Sequence, residues 1–221
     1  MRGGSLSRIA CPCVPAFDIF DHDAALKASA DCPVLELKQA WRRTPEQGLQ
    51  PGTVRVGWRG NDLLILALLT DASIVTRATE DNQILCELGD AFEIFLGQSG
   101  SEGYLEFHVD PAGKRLQLRW PDARAIKEVM EGRTTLDRFL VERPLLGHSS
   151  RVVQGGWSVC AAIPGTVFQA PAGRLLGRTW RASFSRYDYS SDKGEPVLSS
   201  TSPHAELSFH RQHEWAILEF R

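Results

Sequence analysis

The feature that most constrains the fold is a two-residue alternation of apolar and polar side chains that begins at residue 104 and resumes after a turn. Leu105, Phe107 and Val109 alternate with more polar neighbours, residues 110–113 have turn composition, and a second alternating run ends at Trp120. Successive side chains of a β-strand point to opposite faces of the sheet, so this spacing predicts two half-buried strands that form a hairpin. A helix would instead need apolar side chains three and four residues apart.

The same strand signature recurs along much of the chain. A hairpin is predicted from residues 54–58 and 63–69, because Gly60-Asn61-Asp62 between them has turn chemistry. Further strands are predicted at residues 91–96, 157–163, 179–189 and 215–220. Helical spacing between residues 122 and 143 predicts a short helical insert. We therefore predict an all-β protein, an antiparallel β-sandwich interrupted by this insert.

The length of 221 residues suits one large core, and we predict a single domain over residues 1–221 with an irregular N-terminal arm over residues 1–33. Charged residues make up 24% of the chain and the formal net charge is -2, which gives no electrostatic footprint for a nucleic acid. The longest apolar run, residues 63–69, is too short to span a bilayer, so no membrane partner is expected.

Residues 1–15 are basic but lack the apolar stretch of a secretory signal. The compartment is therefore left open, with an extracytoplasmic location expected if a leader was trimmed. The five cysteines show no repeated spacing, which argues against a disulfide framework or a cysteine-rich zinc site. Cys11 and Cys13 are interpreted as a reduced surface pair, with metal ligation alongside distant partners as the alternative. Cys86 and Cys160 are interpreted as small core residues.

Motifs for catalysis are absent from the sequence. It has no G-x-S-x-G nucleophile elbow, and its Gly155-Gly156 pair precedes a strand instead of a phosphate-binding helix. His204, His210 and His213 are interpreted as solvated loop histidines, because His210 and His213 would point to opposite faces of an extended segment. The many acids do not single out a glycosidase pair. We therefore predict no catalytic residue and no metal ligand.

Two consecutive segments resemble a known family. They are Gly89-Asp90-Ala91-Phe92-Glu93-Ile94-Phe95-Leu96 and Tyr104-Leu105-Glu106-Phe107-His108-Val109-Asp110-Pro111, and together with later strands they are similar to the family 9 carbohydrate-binding modules. The resemblance covers residues 35–221. It implies a β-sandwich related to the DOMON domains that binds glucose- or xylose-type sugars or polysaccharide chain ends, in some members with structural calcium.

The resemblance also implies a set of ligand-binding residues. The acid of the family motif falls on Glu93, and the position of the family's arginine falls on His108. The remaining family positions are matched more loosely, and they fall on Ser185 or Arg186 for the amide, Phe209 for the second tryptophan, and Glu87 for the first tryptophan. Because Glu87 is not aromatic, Tyr104 or Trp120 is expected to replace that ring, or the ligand preference has changed.

Four alternatives remain open at this stage. In the first, Glu93 has only a structural role and forms an ion pair with Arg115, Arg119 or Arg186 across the sheet. The chain could be a glycoside hydrolase or a component of one that acts on polysaccharide. More remote are a haem-binding DOMON-type domain and a protein-interaction sandwich.

Overall fold

The computed structural model describes residues 6–168, 175–189 and 194–221, and β-strands dominate these ranges. The strands are β1 (Arg8–Cys11), β2 (Val34–Glu36), β3 (Gly52–Arg59), β4 (Asp62–Thr70), β5 (Ala91–Gln98), β6 (Tyr104–Val109), β7 (Arg115–Trp120), β8 (Gly147–Val153), β9 (Gly156–Pro164), β10 (Thr179–Asp188), β11 (Val197–Ser200) and β12 (Ala216–Phe220). The helices are short. They are α1 (His22–Ala28), α2 (Leu85–Leu88) and α3 (Ala123–Met130), with 3-10 turns at Leu136–Phe139, Gly165–Phe168 and Gln212–Glu214.

Within the described ranges the strands form two sheets. The seven-stranded sheet has the order β1-β12-β10-β5-β6-β7, with β11 also paired to β10, and the five-stranded sheet has the order β2-β3-β4-β9-β8. All strand pairs are antiparallel except β1 with β12. The predicted antiparallel β-sandwich is confirmed, and so is the helical insert, which contains α3 and the turn at Leu136–Phe139.

The main core lies between the two sheets. Phe92, Ile94 and Leu96 of β5 point into it and are fully buried, and β3, β4 and β9 of the other sheet supply further aliphatic side chains. Burial of such side chains contributes about 1.5 to 3 kcal/mol each, which makes this core the main stabilising element. The period-2 pattern of β5 thereby fixes which of its side chains face away from the core.

A second apolar cluster covers the outer face of the seven-stranded sheet. It contains Phe95, Leu118, Trp120 and Trp215, and it is covered by α3. Asp122 starts this helix by accepting hydrogen bonds from the backbone N–H groups of Arg124 and Ala125. Both faces of β5 are therefore buried, which explains why its sequence is apolar at almost every position.

Residues 6–33 do not form the irregular arm that we predicted. Strand β1 pairs in parallel with β12, and α1 packs on β9 with its N-terminus capped by Asp21. Cys11 is fully buried in the main core, whereas Cys13 is exposed, so the two do not form a surface pair. Four residues of β1 are too few to give a clear alternation, and only pairing with the last strand orders them.

The interpretation of the histidines as solvated is wrong for two of the three. His204 is completely buried, and its Nδ1 lies 3.0 Å from Oε2 of Glu214. His210 is half-buried against Tyr104, whereas His213 is exposed. Among the described residues, no helix is long and apolar enough to cross a membrane.

Candidate functional site

A cavity of about 410 Å³ opens on the outer face of the seven-stranded sheet. Its floor comes from β5, β6 and β7, and its walls include α3 and residues 207–210. Most of its lining is apolar, and the polar side chains gather at the floor. Small-molecule sites are typically concave, largely apolar cavities of about 300 to 1,000 Å³ with a few convergent polar groups.

Strand register brings the polar groups of the floor together. Glu93 of β5 lies directly opposite His108 of β6, and directly opposed side chains point to the same face. Since Phe92 and Ile94 point into the sandwich core, Glu93 must point outward into the cavity. Glu106 precedes His108 by two residues and so shares its face.

These side chains form a buried hydrogen-bonded chain. His108 Nε2 lies 2.6 Å from Glu106 Oε1 and 3.3 Å from Glu93 Oε1. The indole N–H of Trp120 donates to the other oxygen of Glu106 at 2.6 Å. Both carboxylate oxygens of Glu106 are therefore engaged, and this residue holds the His108 ring in place.

Two polar atoms of the floor lack a hydrogen-bond partner. They are Oε2 of Glu93 and Nδ1 of His108, and both belong to side chains about 3% exposed. A buried polar group without a partner costs about 1 to 3 kcal/mol, so a ligand that bonded to either atom would recover that free energy. The floor of the cavity therefore favours binding of a ligand that places a polar group against these two atoms.

Burial and neighbouring charges shift the pKa values of Glu93, Glu106 and His108 in different directions. Burial raises the pKa of Glu93, and the nearby Glu106 carboxylate adds to that rise. Burial alone would lower the pKa of His108, but the Glu93 carboxylate, the neighbouring Cys86 thiol and the Glu106 carboxylate outweigh burial and raise that pKa well above its usual value. Burial likewise works against ionisation of Glu106, yet the two histidines and the Trp120 N–H lower its pKa overall. These shifts favour a proton on His108 and the ionised form of Glu106, whereas burial favours the protonated form of Glu93.

Aromatic rings form part of the cavity wall. Trp120, Tyr187 and Phe209 all line the cavity. Tyr104 lies behind Trp120, with its hydroxyl 2.8 Å from Nδ1 of His210. Phe209 therefore keeps an aromatic side chain at the predicted second ring position, and Tyr104 supports the wall without lining it.

The remaining predicted residues are divided between two places. Glu87 lies at the exposed mouth of the cavity, on α2. Ser185 shares the face of Glu93, but its hydroxyl is buried against Ser200 Oγ at 3.2 Å, outside the cavity lining. Arg186 lies opposite Phe92 on the other face of the sheet, so register separates it from the cavity.

Arg186 instead belongs to a buried acidic cluster. Its Nη2 lies 3.0 Å from Asp71 Oδ2 and 3.1 Å from Asp188 Oδ2. Asp90 completes the cluster and accepts hydrogen bonds from the backbone N–H groups of Val75 and Tyr189. The guanidinium offsets part of the negative charge of these three carboxylates, whose oxygens lie within 4.8 Å of one another.

The expectation that Glu93 pairs with Arg115, Arg119 or Arg186 is wrong for all three. Arg186 is held by the acidic cluster, and Arg115 pairs with Asp81 at 3.2 Å. Arg119 lies opposite Leu105, a residue of the sandwich core, and so it faces away from the floor of the cavity. The partner of Glu93 across the sheet is His108.

Two cavity residues were not singled out from the sequence. Cys86 was interpreted as a small core residue, yet it is half-buried and lines the cavity beside Glu93 and His108. Glu106 was regarded only as a polar position of an alternating strand. Its spacing of two residues from His108 was the available signal, because it places both side chains on one face.

Solved structures similar to this one provide an independent comparison. A protein of Bacteroides uniformis described as carbohydrate-binding superposes with a TM-score of 0.75 at 18% identity, covering 98% of this chain and 100% of that one. A family 9 carbohydrate-binding module of Caldicellulosiruptor kristjanssonii gives TM-scores of 0.65 in its glucose complex and 0.64 in its cellotriose complex, at 12% identity. These two comparisons cover 97% of this chain and 96% and 95% of the module.

This chain has the fold of a family 9 carbohydrate-binding module. The resemblance noted in the sequence is confirmed at the level of the fold along nearly the whole chain. No protein-family model matches the sequence, and no curated protein is significantly similar to it. The family 9 fold therefore rests on the strand arrangement, and the ligand has to be inferred from the cavity.

Proposed function

We propose that the cavity binds a carbohydrate without catalysing a reaction on it. The proposed ligand is a glucose- or xylose-type sugar or the end of a polysaccharide chain. The observation that carries the proposal is the pair Glu93 and His108, which lie at the floor of a cavity and each keep an unpartnered polar atom there. The family 9 fold supports it, because the Caldicellulosiruptor module was solved with glucose and with cellotriose.

The chemistry of the cavity matches that of a sugar. A pyranose ring has apolar C–H faces and a rim of hydroxyl groups, so it needs both apolar walls and hydrogen-bonding groups. The neutral carboxyl of Glu93 can donate and accept, and His108 Nδ1 supplies a second polar contact. Phe209 and Tyr187 offer aromatic surface, and ring stacking adds about 0.5 to 1.5 kcal/mol.

The shape of the cavity favours a terminal sugar. The sheet lies behind Glu93 and His108, so we expect the end of a sugar chain to contact both side chains. Ile126 and Val129 of α3 add aliphatic side chains to the lining, and Glu87 is exposed at the cavity. A sugar would therefore contact one aromatic and one aliphatic side, and we expect weaker stacking than between two tryptophans.

The arrangement favours binding over hydrolysis. A glycosidase typically uses two carboxyl groups that both reach the scissile bond. Here Glu106 has both oxygens engaged, by His108 and by Trp120, which leaves Glu93 as the one carboxyl of the floor with an unpartnered oxygen. We expect no release of a chromogenic aglycone from aryl glucosides or aryl xylosides by the purified chain.

The binding test is a titration with glucose, xylose and their β-linked oligomers. Trp120 lines the cavity, so its fluorescence should change saturably, and calorimetry should give the same Kd. Glu93→Ala removes a hydrogen bond worth about 0.5 to 1.5 kcal/mol, so we expect roughly 2- to 12-fold weaker binding. Glu93→Gln retains a donor and an acceptor and should keep most of the affinity.

The matched control is Glu36→Ala, which removes an exposed glutamate from β2 in the opposite sheet. It should leave both the melting temperature and the Kd unchanged. If Glu93→Ala unfolds normally and keeps the native sugar affinity, the sugar binds elsewhere on the protein. If the native protein binds none of these sugars, the proposal is wrong. If the native protein hydrolyses an aryl glycoside and Glu93→Gln does not, the hydrolase alternative replaces it.

A further inference from the structure

We propose that Cys86, Glu93 and His108 form a binding site for a zinc-type transition-metal ion at the floor of the cavity. A sulfur, a carboxylate oxygen and a ring nitrogen of these three residues all lie within 4.8 Å of one another. Metal–ligand bonds of this kind are about 2.0 to 2.3 Å long, so small side-chain rotations would bring the three atoms onto one ion.

Three separate elements converge on this point. Cys86 lies on α2, Glu93 on β5 and His108 on β6. The β5–β6 register fixes the last two side chains opposite each other, and Gly89 directs the chain from α2 into β5. Because two of the three ligands stand on paired strands, the site is held by the sheet instead of by a mobile loop.

The unpartnered atoms of the floor are those that a metal requires. Nδ1 of His108 and Oε2 of Glu93 have no hydrogen-bond partner, although both side chains are about 97% buried. Each is a good ligand atom for a divalent ion. An ion held by Cys86, Glu93 and His108 would bond to buried groups that keep an atom without a close hydrogen-bond partner.

The surroundings of His108 resemble those of a metal ligand. Its Nε2 lies 2.6 Å from Glu106, so Nδ1 becomes the coordinating nitrogen once the ion displaces its proton. Metal-binding histidines commonly place their second ring nitrogen against a carboxylate, which fixes the ring and makes the coordinating nitrogen more basic. Trp120 in turn donates to Glu106 at 2.6 Å and holds that carboxylate in place.

The donor set selects the kind of ion. A thiolate, an imidazole and a carboxylate suit Zn²⁺ and its spectroscopic substitute Co²⁺, whereas Ca²⁺ and Mg²⁺ prefer oxygen ligands alone. Three protein ligands leave a fourth position of a tetrahedral ion open, and here it would face the cavity. A hydroxyl or carboxylate of a cavity ligand is the group that could occupy it.

This inference shares Glu93 and His108 with the proposed sugar site but does not depend on it. A metal can bind whether or not a sugar follows. The two ideas are separated by running the sugar titrations twice, once after EDTA treatment and once with Zn²⁺ present. If the sugar binds only when Zn²⁺ is present, the metal is part of the sugar site. If the sugar binds equally well after EDTA treatment and with Zn²⁺, sugar binding needs no metal.

The test uses Co²⁺ with EDTA-treated full-length protein under reducing conditions. We expect one Co²⁺ per chain, visible d–d bands of a tetrahedral ion, and a near-ultraviolet thiolate-to-cobalt charge-transfer band. Zn²⁺ should displace the Co²⁺ stoichiometrically, and Ca²⁺ should not. Cys86→Ser should remove the charge-transfer band, and His108→Ala should weaken Co²⁺ binding at least 10-fold.

Cys13→Ser is the matched control, because Cys13 is an exposed cysteine outside the cavity. It should leave the spectrum and the stoichiometry intact, and far-ultraviolet circular dichroism will show that each variant is folded. Absence of stoichiometric Co²⁺ binding would overturn the inference. So would a charge-transfer band that survives in Cys86→Ser or disappears in Cys13→Ser.

Discussion

At the scale of single residues, the face of a strand decides the role of a charged side chain. Ser185 lies opposite Glu93, and Arg186 lies opposite Phe92, so two neighbouring residues of β10 point to different sides of the sheet. Arg186 is thereby buried among Asp71, Asp90 and Asp188. Burial raises the pKa of Asp90 to about 7 and that of Asp188 to about 6.

The first prediction concerns Arg186. Arg186→Met removes the one positive group from a buried cluster of three carboxylates, and breaking such a pair costs about 3 to 5 kcal/mol. Since Asp90 and Asp188 take up protons in the folded state well above the pKa of 3.8 that they have when unfolded, neutral acids replace carboxylates as the pH falls below about 7. The loss of stability should therefore be larger at pH 8 than at pH 5.

Urea denaturation of native protein and variant at both pH values measures this difference. Arg181→Met is the control, because Arg181 lies on the same strand but is only half-buried, and it should change the free energy of unfolding by less than about 1 kcal/mol. If Arg186→Met and Arg181→Met cost the same, the buried cluster does not carry the stability assigned to it.

At the scale of elements, the connection from α2 to β5 positions the cavity floor. It brings Cys86 and Glu93 to one place through Gly89, whose φ of 147° favours glycine. A Cβ at Gly89 would lie 2.1 Å from the carbonyl oxygen of Val75, which accepts a hydrogen bond from the N–H of Asp90. The backbone around Gly89 has no room to move without breaking this contact.

The second prediction follows from that close approach. Gly89→Ala should lower the free energy of unfolding by about 3 kcal/mol or more, because relief of the clash requires separation of two backbone segments. The start of β5 should shift with it, and ligand binding at Glu93 should weaken. Chemical denaturation and the cobalt and sugar titrations measure the two effects.

Gly100→Ala is the control that distinguishes the cost of the steric clash from the cost of backbone strain. Gly100 also has a positive φ, of 85°, but a Cβ there would meet nothing within 4 Å. This variant should cost only about 1 to 2 kcal/mol of left-handed strain and leave binding unchanged. Equal losses in the two variants would mean that the contact with Val75 is not important.

At the scale of the whole molecule, the two ends of the chain meet in one sheet. Strand β1 covers β12, and Ile9 and Cys11 of β1 enter the main core beside Leu218 and Phe220. A closing strand of this kind protects backbone groups that would otherwise form an open sheet edge. The N-terminal segment is therefore part of the stable unit.

The third prediction tests that role in the full-length chain. Ile9→Asp places a charge in the core next to β12 and should cost about 3 kcal/mol or more, since burial of an unpaired charge is strongly unfavourable. Thermal and chemical unfolding measure the loss, and size-exclusion chromatography detects association through the exposed edge of β12.

Arg8→Ala is the control for the same strand. Arg8 is exposed and forms a surface ion pair with Glu219, which is worth at most about 1 kcal/mol. If Ile9→Asp were as mild as Arg8→Ala, residues 8–11 would behave as the irregular arm that the sequence suggested.

The sequence by itself determined the sandwich, because alternation is a local property. The hairpin of β6 and β7, the apolar run of β5 and the helical spacing within α3 can all be recognised from neighbouring residues alone. Alternation also placed Glu93 and His108 on the outward face, and turn composition set the limits of the strands. The predicted strands at residues 157–163, 179–189 and 215–220 correspond to β9, β10 and β12.

Only the tertiary structure decided what the outward residues meet. Pairing register, which depends on residues far apart in the chain, put Arg186 into an acidic cluster and His108 opposite Glu93. It also brought Cys86 from a four-residue helix to the cavity floor and ordered β1 against the last strand. The physical reason is that a local pattern fixes which way a side chain points, whereas its partners depend on contacts between distant segments.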